Sequence, residues 1–299
     1  MPSRVAIILL NWNAYFHSRN CIQSLSRVNE VPFDIILVDN ASTDDSLLKL
    51  KEEFPHVQFI QASNNLGFTG GNNVGLQKAL ELNYEYVLLL NNDVFVDYNF
   101  LYHLINYLDF NPVVGAVQPL IYTHPDRYKI WNGGGKFNRI TGKTDSALLI
   151  NSADYPKEID WISGCAFMVR TSVLNQVGLF NEKYFAYYED VDLSFRIHEA
   201  GYKLMLIPSS VIYHIGGGSS NTPEKRKEGY LSPDVHYYNT RNHIWIIRQW
   251  LKWYEKPTAI LYHAVYSISL TCYFLLRFRW NKLMAVAKGF IHGFTLNYH

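Results

Sequence analysis

The sequence is short of cysteine, of charge and of long uninterrupted apolar runs, and each shortage excludes something. Three cysteines in 299 residues, Cys21, Cys165 and Cys272, stand far apart with neither pairing nor metal-type spacing. A disulfide framework is therefore not expected, and a reducing compartment is. The first apolar run, Val5 to Leu10, is too short for a signal-peptide core and meets Asn11 at once, so it reads as a strand and export is not expected. The G-x-G-x-x-G fingerprint is missing, which disfavours a dinucleotide. With 48% hydrophobic and 18% charged residues, a globular fold is expected rather than wholesale disorder. The formal charge of +1 conceals an asymmetry: residues 242–299 hold seven Lys/Arg against Glu255 alone, leaving the remaining 241 residues at about −5. An acidic body and the lack of a recognised module argue against a nucleic-acid partner.

What is present is an alternation. Apolar runs at 5–10, 35–38, 57–61 and 86–90 are separated by helix-length segments near 16–28, 44–53 and 71–82, the pattern of βαβ units around a parallel sheet buried on both faces. Several runs end abruptly in polar side chains: Asn11, then Asp39 and Asn40, then Asn91, Asn92 and Asp93. Ligands of open α/β sheets bind outside the carboxyl ends of the strands, where these residues fall. Residues 112–160 lose the rhythm, and "NGGGKFNRITGK" reads as a mobile or hairpin-rich loop. A second ordered block starts at Trp161 with the strand "CAFMVR" and a short helix. "EDVDLSFRIHEAG" is then a helix, with acids at its start, Leu193 and Ile197 at i,i+4, and Gly201 as its cap. "YKLMLIPSSVIYHIGGGSSNTPEKRKEG" reads as two short strands and a Gly/Ser/charged loop, followed by a helical tail rich in Trp and Tyr.

Candidate chemistry follows from position. In "NNLGFTGGNNVGL" the glycines, Gly67 among them, permit close backbone approach, and a helix expected from about Asn72 offers amides to an anion, with Asn65 beside it; an ordinary Gly-rich loop is the alternative. Asp39 suits an N–H of a pyrimidine base, whereas Ser42 reads as a helix cap. Asp93 suits Mg²⁺ or Mn²⁺ sharing ligands with a diphosphate, and the competing reading of Asn92 and Asp93 is a turn. His214 ends the strand "SSVIYH" ahead of three glycines, where its imidazole could complete a metal site with Asp93; taken alone, a histidine there reads as structural. Asp192 pairs with Arg196 at i,i+4. Asp190 points elsewhere, with Glu189 and Asp192 opposing its ionisation and keeping it basic enough to take a proton; an N-cap is the alternative.

As a set, "LNWN", "VDNASTD", "NNLGFTGGNN", "LLLNND", "WISGCAFMVR", "VGLFNEKYFAYYEDVDLSFRIHEAGY" and "IYH" resemble glycosyltransferase family 2, in its rhamnosyltransferase-like branch, over about residues 4–216. The resemblance implies an α/β GT-A fold, Rossmann-like with a mainly parallel central sheet flanked by helices and a C-terminal helical extension. It implies a nucleotide diphosphate sugar donor, dTDP- or UDP-linked, and inverting transfer, of rhamnose for instance, to a hydroxyl of a glycan or lipid-linked acceptor. Residues 1–216 would form the catalytic domain, 1–120 its nucleotide-binding half and 121–216 its acceptor half, with 217–299 a loop and tail. Carried over by position, Asp190 is the catalytic base. Asn11, Asp39, Asn40, Asn65, Gly67, Asn72, Asn92 and Asp93 face the donor nucleotide. Asn91, Asp93 and His214 hold a divalent cation, although Asn91 replaces the first Asp of the family's D-x-D. Trp161, Ser163, Gly164 and Glu189 face acceptor and sugar, with Arg241 in reach of the donor phosphates. A nucleotidyltransferase and a catalytically silent sugar-nucleotide-binding scaffold are the alternatives.

The tail run from Thr258 to Leu276 carries no full charge but many hydroxyls, too polar for a clear membrane span. Flanked by Lys256, Arg277 and Arg279, it suits a helix on an anionic membrane surface at the inner face of the cell membrane, or one packed on the catalytic domain or a second subunit. The whole reading stands on one spatial expectation: Asp39, Asp93, Asp190 and His214 meet at one rim of the sheet.

Overall fold

The computed structural model of the chain describes residues 3–146, 155–216, 221–226 and 229–298. The first elements follow the expected alternation: β1 (Val5–Asn11), α1 (Tyr15–Leu25), β2 (Phe33–Asp39), α2 (Ser46–Glu53), β3 (Gln58–Gln61), α3 (Gly67–Glu81) and β4 (Tyr86–Leu90). Next come β5 (Val94–Val96), α4 (Phe100–Phe110), β6 (Val114–Thr123), β7 (Ile130–Asn132), β8 (Lys136–Asn138), β9 (Lys143–Asp145) and β10 (Lys157–Glu158). The second block holds β11 (Ala166–Arg170), α5 (Thr171–Val177), a 3-10 turn at Glu182–Tyr184, α6 (Glu189–Glu199) and β12 (Lys203–His214). The hairpin β13 (Asn221–Arg226) and β14 (Gly229–Leu231) leads into α7 (Pro233–Trp250), α8 (Lys256–Leu276) and α9 (Trp280–Thr295).

The central sheet runs β10-β12-β6-β11-β4-β1-β2-β3. Strands β3, β2, β1 and β4 are mutually parallel, β6 and β12 are parallel to each other, and β11 runs antiparallel to both β4 and β6. Alternation along β1 explains why both faces are covered, because successive side chains point to opposite sides. Val5, Ile7 and Leu9 pack in one cluster with Ile22, Leu50 and Leu104 of α1, α2 and α4. Ala6 and Ile8 pack in another with Leu76, Val173 and Leu193 of α3, α5 and α6.

Three expectations change. The stretch expected to be irregular from residue 112 contains β6, a ten-residue interior strand; Gly115, Gln118 and Pro119 interrupt its apolar run and hide it from a periodicity search. The two short strands expected after Gly201 are one strand, β12, whose register against β6 shifts between Ile207 and Val211, around Pro208. Helix α3 begins at Gly67 rather than near Asn72, so Gly70 and Gly71 lie inside it. The "NGGGKFNRITGK" segment does form a hairpin, β8 with β9. Of the Gly/Ser/charged loop, 217–220 and 227–228 lie outside the described residues, and so do 147–154 of the 112–160 stretch.

The tail packs on the catalytic body through α7, where Thr240 to Ile247 are buried. Helix α9 lies close against α7 because a Cβ at Gly289 would stand 2.7 Å from the Tyr237 carbonyl oxygen, and one at Gly293 would meet Ile244. The same logic seats α3 on β1: a Cβ added at Gly75 would fall 2.6 Å from Ile8 Cγ2. Gly75→Val is therefore expected to overpack this interface and cost about 1–3 kcal/mol, read as a lowered midpoint in urea unfolding; an unchanged midpoint would show that α3 has room to move.

Candidate active site

Parallel strands β1, β2 and β4 finish side by side, and their terminal polar residues bind one another. Asn11 is fully buried; its amide donates to Asp39 Oδ1 at 2.9 Å and to the hydroxyls of Ser42 and Ser46, and its Oδ1 accepts from Ser18 at 2.7 Å. Ser18 in turn accepts from Asn92 Nδ2 at 2.8 Å, which ties the end of β4 to that of β1. Asp39 also takes the Ser42 hydroxyl at 2.6 Å and the Ser42 N–H at 3.0 Å, and it presents no surface to solvent. Ser42 is thus part of the Asp39 turn and not the cap of α2, whose N-cap is Asp45. A nucleobase would reach Asp39 only with movement of that turn.

Asn40 clasps the entry to α3: its amide donates to Asn65 Oδ1 and to the Gly67 carbonyl, and its Oδ1 accepts from Leu66 N–H. Gly67 has φ +71°, and a Cβ there would stand 2.5 Å from the Phe185 carbonyl oxygen, so only glycine fits. Asn72 is buried and turned back on the Phe68 carbonyl. Of the donor-side candidates, Asn65 is exposed and Asn92 is partly so; Asn11, Asp39, Asn40 and Asn72 are committed to holding the rim together.

On the other side of β4, the segment before β11 connects the two halves. Asn91 N–H donates to the Cys165 carbonyl at 2.9 Å, and Gly164 N–H donates to Asp190 Oδ2 at 2.8 Å. Ser163 N–H is held by Gln118 Oε1. Trp161 is buried and donates from its indole to the Lys136 carbonyl. Asp190 therefore reaches the same rim as Asn91 through two consecutive residues, Gly164 and Cys165.

Helix α6 starts at Glu189, so Asp190 sits in its first turn and is not its N-cap. Its Oδ1 accepts from Val191 N–H at 2.8 Å. Burial raises its pKa to about 6, against the pull of the Gly164 and Val191 N–H groups, although part of the side chain still meets solvent. Glu189 is buried, its Oε2 lacks a hydrogen-bond partner among the described residues, and burial with the adjacent Asp190 pushes its pKa well up. Asp192 makes the expected pair with Arg196, at 2.9 Å.

His214 lies opposite Val94 in the β12–β5 ladder, which brings its Nε2 to 3.1 Å from Asp93 Oδ1. Burial works to lower its pKa, but the neighbouring Cys165 and Asp93 outweigh it and raise it to about 10. Its Nδ1 is buried without a hydrogen-bond partner among the described residues. As they stand, His214 and Asp93 form an ion pair; with the imidazole neutral, the same spacing suits two ligands about 2.1 Å from an octahedral Mg²⁺ or Mn²⁺, which stand roughly 3.0 Å apart at adjacent corners. Among the described residues there is no cluster of three or more metal-ligating side chains, and the remaining ligands would come from a bound diphosphate.

Arg241 is not in reach of a ligand. Its guanidinium is buried, donates to the carbonyls of Lys183 and Tyr184, and stacks 4.1 Å from the Trp245 ring. Beside it, Asn242 donates to three carbonyls, those of Tyr184, Ala186 and Tyr187. These grip a strained strap in which Phe185, Tyr187 and Tyr188 all have positive φ, immediately before Glu189 and Asp190. Asn242, Ser18 and Gln118 escaped the sequence reading. The signal for Asn242 was the polar run "TRNH" inside an otherwise apolar stretch, which makes sense only if a helix buries hydrogen-bonding work. A cleft of about 480 Å³ by the C-terminal half of α6, lined by Phe137, Phe195 and Trp250 among others, contains none of the candidate residues; the chemistry is at the rim.

The family described as Glycosyl transferase family 2 matches residues 7–178. The chain is 26% identical over 235 residues to the N-acetylglucosaminyl-diphospho-decaprenol L-rhamnosyltransferase of Mycobacterium tuberculosis, covering 72% of this chain and 76% of that protein. It superposes on the crystal structure of GalNAc-T7 with UDP, GalNAc and Mn²⁺ with a TM-score of 0.65 at 16% identity, over 84% of this chain and 48% of that one. For the mannosyltransferase PcManGT of Pyrobaculum calidifontis, in complex with GDP-Man and Mn²⁺, the TM-score is 0.58 at 15% identity, over 98% and 87%. Identities this low speak for the fold alone, and that fold is GT-A. The architecture is thus of the GT-A class. The chain belongs to glycosyl transferase family 2, in its rhamnosyltransferase-like branch, which sets aside the nucleotidyltransferase and silent-scaffold alternatives. Asp190, His214 and Arg241 lie beyond the matched stretch.

The clasp is testable. Asn242→Ala leaves three strap carbonyls without this donor, and an expected cost of about 1–3 kcal/mol should appear in denaturant unfolding. Turnover should fall more than donor KM rises, because the strap leads directly into Glu189 and Asp190 at the start of α6; turnover at the wild-type level would mean that the strap keeps its shape unaided.

Proposed function

We propose that the protein moves a sugar, rhamnose in the favoured case, from a dTDP- or UDP-linked donor to a hydroxyl of a lipid-linked or glycan acceptor in cell-envelope polysaccharide synthesis, with inversion at the anomeric carbon. What carries this reading is Asp190: a carboxylate with a pKa near 6, partly open to solvent, joined through Gly164 and Cys165 to the strand end that leads to Asp93. The name of the Mycobacterium tuberculosis relative supports a rhamnosyl donor and a lipid-diphosphate acceptor. The Mn²⁺ present in the structures of the two structural neighbours supports a divalent cation. Residues 1–216 would be the catalytic domain, working at the inner face of the cell membrane where a lipid-linked acceptor is found.

In this mechanism Asp190 accepts the proton of the acceptor hydroxyl as its oxygen forms the new bond to the anomeric carbon, while the bond from that carbon to the diphosphate oxygen breaks on the opposite face. The Gly164 and Val191 N–H groups aim the carboxylate and hold it in place between turnovers. Burial of Asp190 itself, rather than the charge of its neighbours, keeps its carboxylate basic, and burial likewise pushes the pKa of the adjacent Glu189 well up. Asp93 and His214 would hold the divalent cation, which supplies charge neutralisation for the departing nucleoside diphosphate. Asn65 and Asn92 are the rim amides left to meet the donor.

The test is nucleoside diphosphate release from a panel of sugar nucleotides with a polyprenyl-diphosphate-linked sugar as acceptor. The base must be ionised, and ionisation grows as pH rises through the Asp190 pKa. Hence kcat/KM should climb with pH to a plateau above an apparent pKa near 6, and a flat profile between pH 5 and 7 would remove the assignment. Asp190→Asn should lose about 10²–10⁴-fold in kcat; wild-type turnover in that variant would do the same. A chelator should suppress turnover, and Asp93→Asn should raise the Mn²⁺ concentration needed to restore it. Full activity in chelator would refute the shared cation.

A further inference from the structure

Helix α8 is packed on one side only. Ala259, His263, Ser267 and Phe274 face the body of the protein, and His263 Nε2 lies 3.2 Å from the Thr240 carbonyl of α7. The opposite side exposes Leu261, Val265, Ile268, Leu275 and Leu276, with Tyr262, Tyr266 and Tyr273 among them. At about 100° per residue these positions cover roughly half the circumference. Phe278 and Trp280, just beyond the helix end, are exposed too.

From this face we infer that α8 docks the protein on a lipid bilayer surface rich in anionic headgroups, lying along it and not through it. By length and composition the helix could cross a membrane, but its buried stripe, with His263, is held against α7 and Phe290 of α9, and α7 is itself fixed by buried polar residues to the strap before α6. A paired coiled coil is a poor match as well: its seam is narrow and flanked by charged positions, whereas this face is broad and uncharged along its length. Charge argues for headgroups. Lys256 lies at one end of the helix and Arg277 and Arg279 at the other, while Glu255, the sole acid after residue 241, is bound by Arg139 at 2.7 Å. Apolar residues with tyrosines among them and cations at both ends are the composition of an interfacial helix. The inference gives a lipid-linked acceptor a surface on which to be met and rests on the proposed function for that purpose only.

The experiment uses the full chain without donor or acceptor, so its failure is separate from any failure of sugar transfer. Cys272 is the one exposed thiol of the three and lies on the exposed side of α8, so a polarity-sensitive fluorophore on it reports insertion directly. Sedimentation with phosphatidylcholine vesicles containing phosphatidylglycerol should carry the protein down, with a blue shift of the probe; pure phosphatidylcholine should carry far less, and added salt should weaken binding. Arg277→Gln with Arg279→Gln should lower partition about fivefold per cation removed. Leu261→Glu with Ile268→Glu should abolish it, and unaltered thermal melting would show that these surface changes leave the fold intact. Absence of binding to anionic vesicles overturns the inference. So does binding that both double variants retain, or a dimer that the glutamates convert to monomers in a chain that never sediments with vesicles, since the face would then belong to a second copy.

Discussion

The site depends on one strand running the wrong way. In the parallel block the carboxyl ends of β1, β2 and β4 share a rim, but β11 is antiparallel to β4 and β6, so it is the start of β11 that arrives there. Its preceding residues, Ser163, Gly164 and Cys165, are therefore placed between the end of β4 and the start of α6. A backbone hydrogen bond from Asn91 N–H to the Cys165 carbonyl and one from Gly164 N–H to the Asp190 carboxylate then connect the end of β4 with the start of α6, about a hundred residues apart in sequence. Had β11 been parallel, its polar start would lie at the opposite edge and α6 would open away from Asp93.

Polar groups at this rim mostly serve one another. Buried donors and acceptors need partners, and Asn11, Ser18, Asp39, Ser42 and Asn92 satisfy that need in a single connected network. The arrangement explains how three parallel strands can end in polar residues within a buried layer. It also divides the labour: a few side chains at the margin, Asn65, Asn92 and Asp190, keep some contact with solvent, while the rest hold their positions.

Much of the fold was legible because periodicity and breakers agree in the first ninety residues, where short apolar runs alternate with helix-length segments. The convergence of Asp93 with His214 was legible from strand ends plus family resemblance, and Asp190 from its place at a helix start. What stayed hidden has a common cause. Gln118, Ser18 and Asn242 act through partners distant in sequence, and no local pattern distinguishes a polar side chain that faces solvent from one that satisfies a remote carbonyl. Arg241 shows the hazard: its charge pointed to phosphate, yet burial against Trp245 and two carbonyls gives it a structural task. Strand β6 was lost because its glycine, glutamine and proline mimic a loop.

The tail, outside the family match, is joined by hydrogen bonds to the strap that precedes α6. Glycines of α9 allow close packing on α7, and α7 holds the strap from Lys183 to Tyr187 by Arg241 and Asn242. Three residues of that strap region occupy left-handed backbone, a conformation costing of order 1–3 kcal/mol each, which persists only where surrounding contacts impose it. The strap touches α3 as well, where Phe185 presses on Gly67 and accepts from Thr69 N–H. One short segment thus feels the donor-side loop, the base and the tail together. The strap leads directly into Glu189 and Asp190 at the start of α6, so the buried polar residues of α7 brace the backbone just ahead of those two carboxylates.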